Sequence, residues 1–173
     1  MGIVLWLTGL SGSGKTTIAV ALKKKYETEG KKVCIIDGDA IRNTDSSPLG
    51  FSREGIRENN RRIAFLAKEE KEKHDLVLIP VIAPFKEDRE ASRKVIGDSF
   101  FEVYVECSLR GCVERDVKGL YKEAREGRRE KLIGMKGSLI SYEAPILPDI
   151  RIRTENFSPE EAVALIADFL ENE

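Results

Sequence analysis

The sequence is short of the residue types that carry many familiar chemistries. It holds one histidine, three cysteines, one tryptophan and two methionines in 173 residues. The single histidine, His74, falls just past a helical stretch and reads as a helix-terminal or surface residue rather than a catalytic one. The cysteines, Cys34, Cys107 and Cys112, are odd in number and show no metal-binding spacing, which argues against a disulfide framework or a zinc ribbon. Cys34 and Cys107 lie in strand-like runs and read as core thiols in a reducing cytosol. Cys107 and Cys112 are close enough in sequence to approach each other, but a functional pair is the weaker reading. Net charge is −1, so no global field draws the protein to nucleic acid or to a membrane surface, and any basic function is local. No apolar run is long enough to span a bilayer. The N-terminus passes directly into a strand without a signal-peptide pattern, so the expected location is the cytoplasm. Internal repeats, low-complexity segments and linkers are lacking too, which leaves a single domain over residues 1–173.

What is present suits a globular protein with a charge-rich surface: 41% hydrophobic and 34% charged residues. A domain of this size buries roughly 70% of its unfolded-chain surface. The most informative stretch is Gly9-Leu10-Ser11-Gly12-Ser13-Gly14-Lys15-Thr16, between an apolar run (Ile3 to Leu7) and a helical pattern. Strand, glycine loop and helix in that order fit the phosphate-binding P-loop. Gly12 and Gly14 let successive N–H groups turn into one anion-sized hollow. The helix that follows adds the positive end of its dipole. Lys15 supplies a point charge for β- and γ-phosphates. Thr16 offers a hydroxyl to Mg²⁺, and Thr17 another to a phosphate oxygen. A glycine-rich turn with a chance lysine is the bland alternative, and motif and context together outweigh it.

Along the chain, the first helix runs from Gly14 to about Glu29 with Gly30 as its stop. A second strand, Val33 to Ile36, ends in Asp37-Gly38-Asp39, acids at the sheet edge where ligands of open α/β sheets bind. Residues 44–52 read as a substrate-side loop. A helix follows over Arg53 to Lys73, with Ile56, Ile63, Leu66 and Ala67 inward and its dense charges as a solvated face. The third strand, Leu76 to Ile82, is unusual for Pro80 within it. A short charged helix (87–96), a fourth strand (100–105) and a helix (109–116) precede the most basic segment of the chain. That segment, about 115–145, reads as a flap over phosphates, its distal cations as plain surface charge. The last strand is 149–153. The last helix opens with Ser158 as N-cap, Pro159 at N1 and Glu161 completing a capping box. The expected fold is α/β: a P-loop-type three-layer architecture with a five-stranded parallel sheet and helices on both faces.

A P-loop alone does not separate kinases from GTPases or motor ATPases. The small domain, the basic flap, the lack of a strand ending in a Walker-B aspartate and the lack of an Asn-Lys-x-Asp pattern favour a small-molecule kinase. Beyond the P-loop, the chain carries Asp37-Gly38-Asp39 with Arg42, Leu49-Gly50-Phe51-Ser52, Glu58-Asn59 with Arg61-Arg62-Ile63, and Ile82-Ala83-Pro84. It also carries Glu102-Val103-Tyr104-Val105, Arg115-Asp116-Val117-Lys118-Gly119-Leu120-Tyr121 and Tyr142-Glu143-Ala144-Pro145. With these pieces it resembles the adenylylsulfate (APS) kinases from end to end. That family transfers the γ-phosphoryl of ATP to the 3′-hydroxyl of adenylylsulfate, giving PAPS.

The resemblance implies roles. Gly9 to Thr17 and Arg115 would hold ATP, with Arg115 against its adenine. Thr16 and Asp39 would serve Mg²⁺. Asp39, Lys15 and Lys118 would be catalytic, Asp39 as base or through the Mg²⁺ shell. Asp37, Arg42, Phe51, Asn59, Ile82, Ala83 and Lys118 would face adenylylsulfate. A salt bridge or packing contact is the competing reading for each residue outside the P-loop. It weighs about equally for Asp37, Phe51 and Arg115. The family often dimerises, so a homodimer is one candidate assembly, and nothing in the exposed pattern decides the oligomeric state.

The departures fall on the acceptor side. Gly55-Ile56 stand where the family has Asp-Arg, and Arg57 lies about 100° further round the helix. Ala83 replaces a serine that bacterial members can phosphorylate. Phe85-Lys86 replaces Tyr-Arg, and Leu132-Ile133-Gly134-Met135 lacks the family's aromatic. About three residues appear inserted before Tyr142, and Ser141 takes the place of a proline. Three readings follow: an APS kinase with an altered acceptor pocket, a kinase of the same fold with another nucleotide-linked or phosphorylated acceptor, and an ATP-binding module without turnover. The intact Lys15, Thr16, Asp39 and Lys118 weigh against the last.

Overall fold

The computed structural model describes residues 2–42 and 50–172. Five strands form one parallel sheet in the order β2-β3-β1-β4-β5. They are β1 (Ile3–Thr8), β2 (Val33–Ile35), β3 (Leu76–Pro80), β4 (Phe100–Glu106) and β5 (Ile150–Arg153). The helices are α1 (Lys15–Thr28), α2 (Gly38–Arg42), α3 (Arg53–Glu70), α4 (Lys86–Ile96), α5 (Leu109–Arg115), α6 (Leu120–Arg125) and α7 (Pro159–Glu171).

The central strand β1 shows why both faces are covered. Alternate side chains point to opposite faces of a strand. Leu5 and Leu7 pack with Ile18 and Leu22 of α1 and Ile166 of α7. Val4 and Trp6 pack with Ile63 and Ala67 of α3, Ile96 of α4 and Phe100 of β4. Each fully buried leucine or isoleucine contributes about 1.5–3 kcal/mol. A strand apolar on both faces therefore draws a helical layer to each. The chain leaves β1 toward α1 on one face and leaves β3 toward α4 on the other. The crevice between the carboxyl ends of β1 and β3 is thus the topological switch point, where ligands of open α/β sheets bind.

The helix ends follow local chemistry. At the end of α1, Gly30 adopts φ 80°. Its N–H donates to Glu27 O at 3.0 Å and the Lys31 N–H donates to Tyr26 O at 2.9 Å, the Schellman pattern. Ser158 caps α7 in a complete capping box with Glu161. Ser52 and Ser108 cap α3 and α5, each accepting the amide of the glycine three residues on.

The main differences from the sequence expectation are two element ends and two added helices. The α3 helix ends at Glu70, with a turn over 71–73. Two short helices, α2 and α6, stand where the sequence suggested none, each too short to leave a periodic pattern. The third strand stops at Pro80 rather than Ile82. The Ile36 N–H donates to Leu78 O, so Leu78 and Pro80 present their backbone groups toward β2. Because β2 ends at Ile35, the N–H that proline lacks falls where no strand would have accepted it. Most of the expected substrate-side loop, 44–49, lies outside the described residues.

Candidate active site

The loop after β1 is built by close backbone packing. A Cβ on Gly9 would stand 2.4 Å from Val105 O, so only glycine lets this turn pass β4. Gly12 and Gly14 have φ of 77° and 106°, a region that side-chain-bearing residues avoid. The loop is pinned from outside. Thr154 Oγ1, just after β5, donates to Ser13 O at 2.9 Å, and Tyr121 Oη donates to Ser11 O at 2.8 Å.

Lys15, the first residue of α1, is buried, and its Nζ donates to Gly9 O at 2.9 Å and Leu10 O at 2.7 Å. Burial pulls its pKa down to about 8; the charge of Lys118 adds to this, while Cys112 and Asp39 oppose it. The charges of Lys118 and Asp39 are thus both felt at Lys15, although the sequence keeps the three residues far apart. Thr16 and Thr17 are exposed on the first turn of α1.

Arg115 does lie at the P-loop, but its guanidinium is engaged. Nη1 and Nη2 donate to Thr154 Oγ1 and O at 2.9 and 2.6 Å, and Nη1 reaches Ser13 O at 3.4 Å. Directly after it, Asp116 takes φ 24° and accepts the amides of Tyr121 and Lys122. This bend carries Lys118, exposed, between α5 and α6. Beneath the loop, Cys107, Cys112 and Tyr121 form a small core with Leu10 at its edge. The two thiols do approach and both are free; burial, then Cys107, pushes Cys112 up to about 12, so it stays protonated at neutral pH.

Asp37 and Asp39 flank the start of α2. The Asp37 Oδ1 accepts the Asp39 amide at 2.8 Å and the Ala40 amide at 3.4 Å. Asp37 therefore holds the backbone on which the exposed Asp39 stands. Asn59, almost fully buried on α3, donates from Nδ2 to Gly38 O at 3.2 Å and braces the same turn. Arg42 stacks over the Phe51 ring at 4.5 Å and donates to Gly50 O at 2.7 Å. Phe51 itself is 57% exposed, an aromatic face left open to a ligand.

The other wall of the crevice is the segment after β3. Thr8 Oγ1, at the end of β1, donates to Ile82 O at 2.6 Å and lies 3.0 Å from Tyr142 Oη. Ala83 is buried with φ 42°, a left-handed conformation that costs a residue with a Cβ about 1–2 kcal/mol. Arg89 on α4 holds it there. This guanidinium is 3% exposed and donates to Ala83 O at 2.8 Å, to Glu143 O at 2.8 Å and to Glu102 Oε1 at 2.6 Å. Glu143 closes the strap, its N–H donating to Pro84 O and its carboxylate accepting the Lys86 amide. Sequence reasoning does not single out Arg89 or Thr154. Arg89 sits in a charged helix that reads as surface, and only its burial reveals the clamp.

The altered acceptor positions are also resolved. Ile56 is buried at 3% exposure. A Cβ on Gly55 would stand 2.4 Å from Gly50 O, so the aspartate expected there by resemblance does not fit this backbone. Arg57 turns to α4, pairing with Glu87 and with Asp88 at 3.4 Å. Arg53 pairs with Glu87 and stacks on Phe85 at 4.0 Å.

The profile of the adenylylsulphate kinase family matches residues 1–153. The adenylyl-sulfate kinase of Staphylococcus haemolyticus is 42% identical over 171 residues, covering 98% of this chain and 84% of that protein. That of Clostridium acetobutylicum is 41% identical over 169 residues, with 98% and 83% covered. Among solved structures, the Mycobacterium tuberculosis APS kinase in complex with AMPPNP and APS superposes with a TM-score of 0.90 at 37% identity, covering 98% of both chains. A gluconokinase of Sinorhizobium meliloti, at 17% identity and TM-score 0.63, shares the fold alone. With a P-loop, an acidic turn and a clamped crevice wall in one place, and with matches of this extent, the chain belongs to the adenylylsulfate kinase family.

Proposed function

We propose that the protein transfers the γ-phosphoryl group of ATP to the 3′-hydroxyl of adenylylsulfate, releasing ADP and PAPS. The observation that supports this reading is the buried P-loop Lys15, on which the charges of Lys118 and Asp39 both act. The loop amides from Gly12 to Thr17 and the Lys15 ammonium bind the β- and γ-phosphates. A phosphate takes over the Lys15 donors now spent on Gly9 and Leu10 carbonyls. The acceptor oxygen bonds to the γ-phosphorus as the β–γ bridging P–O bond breaks. Asp39 orients the hydroxyl and takes its proton. Lys118, on the expected flap of about 115–145, offsets the charge moving onto the leaving oxygen. Arg115 lies against the adenine of ATP. Arg42 and Phe51 receive the adenylylsulfate anion and base, Asn59 and Asp37 hold the turn, and Ile82-Ala83 form the wall.

The Thr16 hydroxyl and the Asp39 carboxylate are hard oxygen donors on the open side of this site and would hold Mg²⁺. The ion would neutralise charge on the bridging phosphates.

The buried Ile56 supports a second reading. Where the family places an arginine, the described residues put an apolar side chain, and Arg53 and Arg57 are committed to α4. On this reading the acceptor is another nucleotide-linked or phosphorylated alcohol. ADP formation with and without micromolar adenylylsulfate, with product identified by mass, separates the two. Stoichiometric PAPS supports the first. ATP binding without adenylylsulfate-dependent turnover supports the second. For assembly and location we infer a cytoplasmic homodimer. An APS kinase of Thiobacillus denitrificans is hexameric, and no helix among the described residues is long and apolar enough to cross a membrane. Light scattering of the purified chain checks the assembly.

A further inference from the structure

At the edge strand β2, Cys34 meets Glu70 and His74, a pair four residues apart at the end of α3. Cys34 on β2 packs against the core layer that α3 covers. The last residue of α3 is Glu70, and His74 follows the turn after it. The Cys34 Sγ, a Glu70 carboxylate oxygen and a His74 ring nitrogen all lie within 4.8 Å of one another, on half-buried side chains. No motif spacing announces this set, because β2 and the end of α3 meet only through the fold.

The spacing of these atoms accommodates a metal. His74 Nδ1 is 3.2 Å from Glu70 Oε2, and its hydrogen bond to Glu70 O at 3.0 Å is one that metal ligation at Nδ1 would replace. A tetrahedral Zn²⁺ with bonds of about 2.0 Å to nitrogen and oxygen sets those two atoms about 3.3 Å apart. A Zn–S bond of about 2.3 Å asks for sulfur about 3.5 Å from each, so Sγ closes by at most about 1.3 Å, within reach of a cysteine rotation. Lys73 Nζ holds the other carboxylate oxygen, Oε1, at 2.8 Å and leaves Oε2 turned to the imidazole. Such a second partner orients a ligand carboxylate.

We propose that Cys34, Glu70 and His74 bind one Zn²⁺-class divalent cation, with a fourth position open to water. Thiolate, imidazole and a single carboxylate suit Zn²⁺ and not Mg²⁺, so the nucleotide's own cation does not compete. Binding sends the thiol proton to solvent and shifts the imidazole proton from Nδ1 to Nε2. The metal then ties the three-residue edge strand β2 to the end of α3. This site is independent of the phosphotransfer reading.

The test uses the full-length, reduced, chelator-stripped protein titrated with Co²⁺, followed by Zn²⁺ displacement. The expected result is a thiolate-to-cobalt charge-transfer band that saturates at about one equivalent and is bleached by Zn²⁺. Cys34→Ser should abolish the band, and Glu70→Gln and His74→Gln should each weaken binding at least tenfold. All three variants should keep the wild-type circular dichroism and ATP turnover. Absence of the band, or a band that survives in Cys34→Ser and so arises from Cys107 or Cys112, overturns the proposal.

Discussion

Replacing Lys15 by methionine keeps the buried stem and removes the ammonium. Burial lowers the Lys15 pKa from 10.5 to about 8. The unfolded chain therefore binds more protons than the folded one between about pH 8 and 10.5, and stability rises with pH across that window. Each pKa unit corresponds to 1.36 kcal/mol, so the folded state at neutral pH carries a penalty of about 3 kcal/mol for keeping this charge buried. Lys15→Met removes the penalty and leaves the Gly9 and Leu10 carbonyls to water, at about 1 kcal/mol each. The variant should be about 1 kcal/mol more stable than wild type at pH 7, and the difference should reverse to about 2 kcal/mol less stable by about pH 10.5, where the wild-type amine no longer carries the penalty. A triphosphate reverses the balance, because it favours the charged amine. Nucleotide binding above pH 8 should take up a proton and weaken by up to tenfold per pH unit, and Lys15→Met should bind ATP at least a hundredfold more weakly. Urea unfolding at several pH values, and calorimetry in two buffers of different ionisation enthalpy, measure both effects. ATP affinity that stays flat from pH 8 to 10 with no proton uptake, or that survives in the variant, refutes the reasoning.

Three other substitutions probe the acceptor side. Asp39→Asn should lower turnover by about 10²–10⁴-fold with ATP affinity within a few-fold of wild type; equal losses in both would make Asp39 a nucleotide ligand instead. Ile56→Arg should lower the KM for adenylylsulfate at least tenfold, from a charge-assisted contact of about 1.5–3 kcal/mol, while buried Ile56 makes the variant less stable. An unchanged KM with poor turnover points to a different acceptor. Ala83→Gly should relieve the left-handed φ of 42°. It should raise stability by about 0.5–1 kcal/mol after the entropy of glycine is set against the strain, as read by denaturant unfolding.

The sheet and its helices are legible in the sequence because β1, β3 and β4 are apolar on both faces and the longer helices carry capping residues. The P-loop is legible because its glycines and Lys15 act through neighbours in sequence. What escapes is whatever depends on contacts across the fold. Arg89 looks like one more surface charge among Lys86, Glu87 and Asp88 until its burial beneath the 143 strap is known. Asp37 invites a ligand role, yet its carboxylate is spent on the turn that presents Asp39. The α2 and α6 helices are too short for periodicity to reveal. Cys34 and His74 have no shared motif, and only the pairing of β2 beside β3 brings them together.

The single guanidinium of Arg89 joins a turn, a strand and a strap, so these three cannot shift independently. One side of the crevice is thereby held fast, whereas Lys118 stands exposed on the bend that follows Asp116. Such asymmetry divides the labour of selection. A wall held in this way would select an acceptor by shape. A change of acceptor would then be written first in side chains of that wall, as at Ala83, and last in the P-loop that holds the phosphates.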